Sequence, residues 1–262
     1  MATLTSLSPT QSHNGQTLTL TGTGLANTTK VNFGTKSVSP ATVSSTTVTV
    51  VIPVLCGGQV NVSVTAGTTT SNSLSFFYIT PPLPTAVVSN TGPAAATSVS
   101  VFGSGLLTAT GVTFGAVGAG TSLTVVSDTE LTVTCPAHGS FGAASTDTVD
   151  CTVTTAGGTS VPLGAATQYT YYAVPTVTSL SPTSGSAPTS VTVTGTNLVG
   201  VSSVTFTPTG GGTATQATFS SASATSLLVD LPSGLAAGTY DVQATTPGGT
   251  TAVVAGDVFT VV

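Results

Sequence analysis

The chain has 262 residues but few charges: charged residues make up 3%, with two basic and seven acidic side chains and a formal net charge of −5. Nucleic-acid binding draws most of its affinity from Lys and Arg side chains that neutralise phosphates, so this composition excludes a nucleic-acid partner. The same shortage of basic residues argues against binding to anionic membranes.

The N-terminus, residues 1–9 (MATLTSLSP), has no basic n-region and no apolar h-region, so it contains no recognisable signal peptide. No apolar run approaches the roughly 18 to 20 residues that cross a bilayer, which excludes membrane insertion. We therefore expect a protein of a virion, or of an extracellular or cell-surface location, that leaves the cell by another route or is released by lysis.

A repeated stretch divides the chain into three units. It occurs as TLTLTGTGL at 17–25, SVSVFGSGL at 98–106 and SVTVTGTNL at 190–198. A repeat of about 80 to 90 residues predicts three small domains, with boundaries at 1–81, 82–173 and 174–262. Both boundaries carry Tyr-x-x-Pro, and proline restricts its own backbone and that of the residue before it. We therefore expect a semi-rigid rod.

Within each unit, short runs alternate apolar residues with Thr or Ser. After the repeated stretch come V-x-F at 31–33, 112–114 and 204–206, a run that ends at Pro53, Pro136 or Pro232, and a late run at 60–65, 149–154 and 240–245. Such alternation over four to eight residues is typical of a strand with one buried face. Closely spaced Gly, Pro, Asn and Ser between the runs favour an all-β antiparallel sandwich.

The motifs that recur in the three units resemble those of IPT/TIG domains, which are immunoglobulin-like. The resemblance rests on PTVTSLSP at 175–182, the VTVTGTNL strand, V-x-F after it, and TTPGGTT at 245–251. It covers almost the whole chain, is strongest in unit three and loosest in unit two, and implies three tandem sandwiches. It implies no single function, because the family occurs in receptors, transcription factors, bacterial surface proteins, polysaccharide enzymes and phage particles.

The cysteines suggest one possible disulfide. When the three units are aligned, Cys135 takes the position of Ile52 and Leu231, and Cys151 takes that of Val62 and Val242. The alternation of apolar and polar residues predicts that both side chains face the core. A Cys135–Cys151 bridge between facing sheets would close about 15 residues and add roughly 3 kcal/mol. The alternative is a pair of buried free thiols that act as small hydrophobes. Cys56 lies in a loop with no partner in its own unit and is a possible free thiol.

Other polar residues offer little for catalysis. His13 and His138 are expected to be exposed loop residues in different units, which cannot converge on a metal or a substrate. Asp128, Glu130, Asp147 and Asp150 suggest either a calcium site or charges that protect sheet edges. We expect no enzyme activity, no metal site and no cofactor.

Consecutive aromatic residues occupy the last strand of unit one at 75–79 and of unit two at 170–173. Some of these side chains must face outward. We expect them to pack at the domain junctions, with a protein-binding patch as the alternative.

Two functions are compatible with this sequence. The first is a structural protein that packs on copies of itself or on a protein scaffold, in a virion or an extracellular filament, because the surface lacks the charges that discourage edge-to-edge association. The alternative is an adhesin-like surface module that recognises a glycan or a protein through its loops.

Overall fold

The computed structural model describes the backbone of residues 1–262 and every side chain except those of residues 221 and 222. The chain forms three pairs of β-sheets, one pair in each unit, and contains only two short 3₁₀ helices. The predicted all-β architecture of tandem immunoglobulin-like sandwiches is confirmed. None of the described helices is long and apolar enough to cross a membrane.

Unit one contains ten strands in two sheets, with strand orders β1-β3-β7-β6 and β2-β10-β8-β4-β5, and β9 pairs with β8. The strands are β1 (Thr3–Ser8), β2 (Gln11–Ser12), β3 (Thr17–Thr23), β4 (Thr28–Phe33), β5 (Lys36–Val38), β6 (Thr42–Val43), β7 (Thr47–Val51), β8 (Gly58–Ala66), β9 (Thr69–Thr70) and β10 (Leu74–Tyr78).

Unit two repeats this arrangement, with strand orders β11-β13-β17-β16 and β12-β20-β18-β14-β15. The strands are β11 (Leu83–Val88), β12 (Thr91–Pro93), β13 (Ser98–Ser104), β14 (Gly111–Phe114), β15 (Gly118–Ala119), β16 (Thr121–Ser127), β17 (Glu130–Thr134), β18 (Thr146–Thr155), β19 (Gly158–Thr159) and β20 (Gln168–Tyr172). A 3₁₀ helix, Gly164–Thr167, precedes β20.

Unit three has the same orders again, β21-β23-β27-β26 and β22-β30-β28-β24-β25. The strands are β21 (Thr176–Ser181), β22 (Ser184–Gly185), β23 (Ser190–Thr196), β24 (Ser203–Pro208), β25 (Thr215–Ala217), β26 (Phe219–Ser223), β27 (Ser226–Asp230), β28 (Gly238–Thr246), β29 (Gly249–Thr250) and β30 (Val258–Val261). The second 3₁₀ helix is Ala255–Asp257.

The alternation in the sequence explains how each sandwich closes. In β3 the side chains of Leu18 and Leu20 are buried, while Thr17, Thr19 and Thr21 face away from the core. Successive side chains of a strand point to opposite faces, so one apolar residue in two is enough to build the core. The buried residues of each unit form a separate cluster. Each unit therefore has its own hydrophobic core; the boundaries 1–81, 82–173 and 174–262 stay a prediction.

Candidate functional site

Each unit carries three loops at one end, between equivalent pairs of strands, which we call its loop set. The loop sets are residues 24–27, 44–46 and 67–68 in unit one, 105–110, 128–129 and 156–157 in unit two, and 197–202, 224–225 and 247–248 in unit three. In every set, the amide of a buried leucine in the first loop donates a hydrogen bond to a carbonyl of the second. These pairs are Leu25–Ser45 at 3.1 Å, Leu106–Asp128 at 3.0 Å and Leu198–Ala224 at 2.8 Å.

The loop sets of units two and three form the junctions with the preceding unit. Gly157 lies so close to the carbonyl oxygen of Thr80 that a Cβ atom there would collide with it, and Gly248 is placed in the same way against Ala173. Because the obstacle is backbone, it has little freedom to move aside. A side chain is therefore excluded at both glycines, which lets each loop set dock on the end of the unit before it.

A cleft of about 520 Å³, which we call the first junction cleft, opens beside the contact between units one and two. Its apolar walls come from Phe77 and Ile79 of unit one and from Leu107 of unit two. Phe77 is 50% exposed and Leu107 is 65% exposed. The predicted position of an outward-facing aromatic residue at this junction is confirmed for Phe77.

The second junction cleft lies between units two and three and measures about 530 Å³. One wall is residues 141–145, part of the long connection between β17 and β18, and the other wall includes Asn197 and Thr225 of the unit-three loop set. Asn197 also donates a hydrogen bond from its side-chain nitrogen to the carbonyl oxygen of Val174 at 2.9 Å. Its one large apolar lining residue is Phe141, whereas three large apolar side chains line the first cleft.

The loop set of unit one is exposed apart from Leu25, and we call its surface the tip. It consists of Gly, Ala, Ser, Thr and Asn around that leucine and carries no charge. The amide of Gly67 donates to the carbonyl oxygen of Asn27 at 3.3 Å, which joins the first and third loops. The position equivalent to Gly157 and Gly248 is Thr68, which carries an exposed side chain. The tip therefore offers hydroxyl, amide and backbone groups on an accessible surface.

His138 does not lie where the sequence predicted. Its side chain is only 8% exposed, and its Nε2 atom is 2.9 Å from a carboxylate oxygen of Asp147. The imidazole stacks on Phe141 with ring centroids 4.2 Å apart. The prediction that His138 is exposed is therefore wrong, because this packing covers the ring. Nδ1 is buried without a hydrogen-bond partner. Ser140 lines the adjacent 310 Å³ cavity, but its hydroxyl does not hydrogen-bond to this nitrogen, as the hydroxyl of a nucleophilic serine would.

His13 is half-buried and packs against the second unit. An ideal Cβ atom on Gly158 would lie 3.0 Å from its Nδ1 atom, which places the imidazole at the first junction. Like His138, it is therefore covered by neighbouring structure, and the prediction of an exposed residue is wrong. The two histidines remain in different units, as expected.

Cys135 and Cys151 are both buried in the core of unit two, as predicted from the apolar residues at the equivalent positions of the other units. Both are free thiols in the structure, so the predicted bridge is not formed there and stays a prediction. The Cys135 sulfur accepts a hydrogen bond from the Thr97 amide at 3.3 Å. Burial raises the pKa of Cys151 to about 12, so this thiol stays protonated at neutral pH. Cys56 is an exposed free thiol.

The carboxylates of unit two organise local structure. Asp128 accepts hydrogen bonds from the amides of Gly105 and Leu107 at 3.2 and 3.3 Å, and thus holds two loops of one loop set together. Asp150 accepts a hydrogen bond from Gln168 at 3.0 Å. Within the described residues, no three His, Cys, Asp or Glu side chains come together as a metal site requires.

The model of the IPT/TIG domain family matches residues 2–78 and 175–261, which are units one and three. The match covers more than half of the chain, and the sheet topology described above agrees with it. The protein therefore belongs to the IPT/TIG domain family. No curated protein matches the sequence.

Solved structures with similar folds are distant. A structure crystallised with a xylogluco-oligosaccharide is 17% identical, covers 99% of this chain and has a TM-score of 0.43; this chain spans 60% of its length. The full extracellular region of plexin A4 is 14% identical over 100% of this chain and 24% of its own, with a TM-score of 0.39. The surface glycan-binding protein SGBP-B of Bacteroides ovatus, in complex with a mixed-linkage heptasaccharide, is 20% identical over 96% of this chain and 65% of its own, with a TM-score of 0.28. At these TM-scores the similarity carries no argument about function.

Proposed function

We propose that the protein is a non-catalytic recognition module of a cell or particle surface, which binds an uncharged glycan or protein through the tip of unit one. The proposal rests on one difference among the three equivalent loop sets: two of them contact the preceding unit, and that of unit one is exposed. Those of units two and three dock on the preceding unit through Gly157 and Gly248. The set of unit one has the same internal hydrogen bond between Leu25 and Ser45, but it carries the side chain of Thr68 at the position of those two glycines and is exposed.

The chemistry of the tip favours an uncharged partner. Ser, Thr, Asn and backbone groups supply hydrogen-bond donors and acceptors, and short side chains lose little conformational entropy when they are held in a complex. In antibody paratopes, Ser, Gly and Asn supply adaptable hydrogen bonding. The virion or filament reading gains no comparable support from the fold or the family.

The test inserts a charge into the tip and at a distant loop. In Thr68→Lys a lysine enters the third loop of the tip, and in Thr213→Lys it enters an exposed loop between β24 and β25 of unit three. Both proteins are applied to arrays of neutral glycans and of surface proteins. We expect Thr68→Lys to lose at least tenfold in affinity for any ligand of the unmodified chain, and Thr213→Lys to keep it. Equal loss in both variants, or no ligand at all, would contradict the proposal.

A further inference from the structure

The first junction cleft has one charged lining residue, Asp128, whose side chain is exposed. Its two carboxylate oxygens accept the amides of Gly105 and Leu107 at 3.2 and 3.3 Å, and these bonds fix the direction of the group. A carboxylate has about four acceptor sites, so two of them remain for another donor. Among the described residues no basic side chain forms an ion pair with Asp128. The cleft therefore carries a fixed negative charge without a cation partner.

The other polar groups of this cleft disfavour a sugar or a metal ion. The hydroxyls of Thr108 and Thr155 already accept the amides of Ala156 and Gly157, at 3.3 and 3.1 Å. A sugar needs many hydrogen bonds to replace those it makes with water, and few groups are free to supply them. A calcium ion needs several oxygen ligands, and within the described residues no three His, Cys, Asp or Glu side chains come together.

The remaining walls of the cleft are apolar. Phe77 and Ile79 of unit one face Leu107 of unit two, and Phe77 and Leu107 are 50% and 65% exposed. A wholly apolar ligand would cover these side chains but would also bury the carboxylate of Asp128 unpaired, which is costly. A ligand with an apolar body and one positive charge satisfies both parts of the lining. Clefts of about 300 to 1,000 Å³ between domains commonly hold small organic ligands, and this cleft measures about 520 Å³.

The second junction cleft provides an internal comparison. Ala224 lines it at the position that Asp128 takes in the first cleft, because the carbonyl of each residue accepts the amide of the buried leucine in its loop set. None of the residues that line the second cleft is charged. The two clefts have similar volumes, but the first combines a carboxylate with three large apolar side chains.

We propose that the first junction cleft binds a small organic cation, namely an ammonium ion that carries an apolar group. The ammonium group donates to the free acceptor sites of Asp128, and the apolar group packs against Phe77 and Leu107. The net charge of −5 on the chain adds to the attraction of a cation. This site goes beyond the proposed function, since the tip takes no part in it.

The test titrates the full chain with phenethylammonium in a calorimeter and compares phenethyl alcohol, which has the same ring and a hydroxyl in place of the ammonium group. We expect one phenethylammonium ion to bind per chain, with an affinity that falls as sodium chloride is added. The alcohol should bind at least about fivefold more weakly, because it cannot pair with the carboxylate. Equal binding of the two compounds, or no binding of phenethylammonium at millimolar concentration, would overturn the proposal.

Three variants locate the binding. Asp128→Asn removes the charge and Leu107→Ser removes part of the apolar wall, and we expect each to weaken phenethylammonium binding by at least about fivefold. The control is Asp230→Asn, an exposed aspartate of β27 that lines a different cleft, and it should bind as the unmodified chain does. Urea unfolding checks that each variant is folded; if Asp128→Asn is not, Leu107→Ser and the alcohol decide. Unchanged binding by a folded Asp128→Asn or by Leu107→Ser, or an equal loss in Asp230→Asn, would contradict the site.

Discussion

Unit two and its two neighbours share one strand order but differ in the chemistry of their cores. At four equivalent positions, unit two has thiol or phenol side chains where the other units are mostly aliphatic or phenylalanine. The equivalent sets are Ile52, Cys135 and Leu231; Val62, Cys151 and Val242; Phe76, Tyr169 and Phe259; and Tyr78, Tyr171 and Val261. The family model matches units one and three and leaves out unit two.

This difference shows which features of the sequence specify the sandwich. The alternation of buried and exposed residues is intact in unit two, so the fold is kept although its two cysteines are smaller than the aliphatic residues at the equivalent positions and Tyr171 is larger than Val261. The edge-to-face aromatic pair is kept as well, as Phe33–Phe76, Phe114–Tyr169 and Phe206–Phe259 with centroid distances of 6.2, 5.9 and 5.9 Å. The polarity and size of single core residues can therefore change while the alternation preserves the architecture.

The largest effect is expected when the units are separated. We expect residues 1–81, 82–173 and 174–262, expressed singly, each to unfold cooperatively in urea, because each has its own core. Unit two should have a lower free energy of unfolding than unit one, since its core contains a buried hydroxyl without a partner, that of Tyr169. If 174–262 showed no cooperative transition, independent sandwiches would be wrong.

The second effect concerns the possible bridge in unit two. We expect mild oxidation to join Cys135 to Cys151 and to raise the free energy of unfolding of this unit by about 3 kcal/mol. Alkylation in denaturant followed by intact mass then labels Cys56 alone. The Cys135→Val, Cys151→Val variant serves as the control and should not respond to oxidation. Three labelled cysteines after oxidation would refute the bridge.

Much of this architecture could be predicted from the sequence because strand alternation and repeated columns are local patterns. The core positions of Cys135 and Cys151 and the outward position of Phe77 follow from period-two alternation. The burial of His138 could not be predicted, because it depends on how the loop folds back onto Phe141 and Asp147. The junction contacts of Gly157 and Gly248 also needed the structure, since a Gly-Gly pair in the sequence predicts only a turn.

A smaller effect separates the two core tyrosines of unit two. Tyr171 donates a hydrogen bond from its hydroxyl to the carbonyl oxygen of Pro136 at 3.0 Å, whereas the buried hydroxyl of Tyr169 has no partner. We expect Tyr171→Phe to lower the free energy of unfolding by about 1 kcal/mol, because it leaves a carbonyl unpaired. Tyr169→Phe should raise it by up to about 1 kcal/mol, because phenylalanine occupies this position in the other two units.

Urea unfolding of the two single variants checks this pair, and each variant serves as the control for the other. They remove the same atom from the same core, so a difference in sign reports the hydrogen bond rather than the change in volume. Equal destabilisation in both would mean that the Tyr169 hydroxyl finds a partner in solution. The comparison between unit two and its neighbours would then rest on the cysteines alone.

The smallest effect is expected at a buried position where unit three, rather than unit two, carries the more polar side chain. The buried Asp257 of unit three stands where unit two has the buried Thr167, and both side chains accept a backbone amide of the preceding loop, from Val254 at 3.1 Å and from Leu163 at 2.9 Å. The second carboxylate oxygen of Asp257 has no partner. Burial raises the pKa of Asp257 above the usual 3.8 of an aspartate, and the charge of nearby Asp241 adds to this shift.

The raised pKa of Asp257 fixes the direction of a pH dependence. The folded state favours the protonated acid, so this residue costs no stability below pH 3.8, and the cost grows as the pH rises through the folded-state pKa. We expect Asp257→Asn to remove that cost, because asparagine is uncharged and keeps an oxygen for the Val254 amide. The measurement is urea unfolding of the full chain and of the variant between about pH 4 and 7, with Asp230→Asn, an exposed aspartate, as the control. The full chain and the control should lose stability over this range relative to Asp257→Asn; parallel pH profiles for all three would show that Asp257 ionises as easily in the folded chain as in the unfolded one.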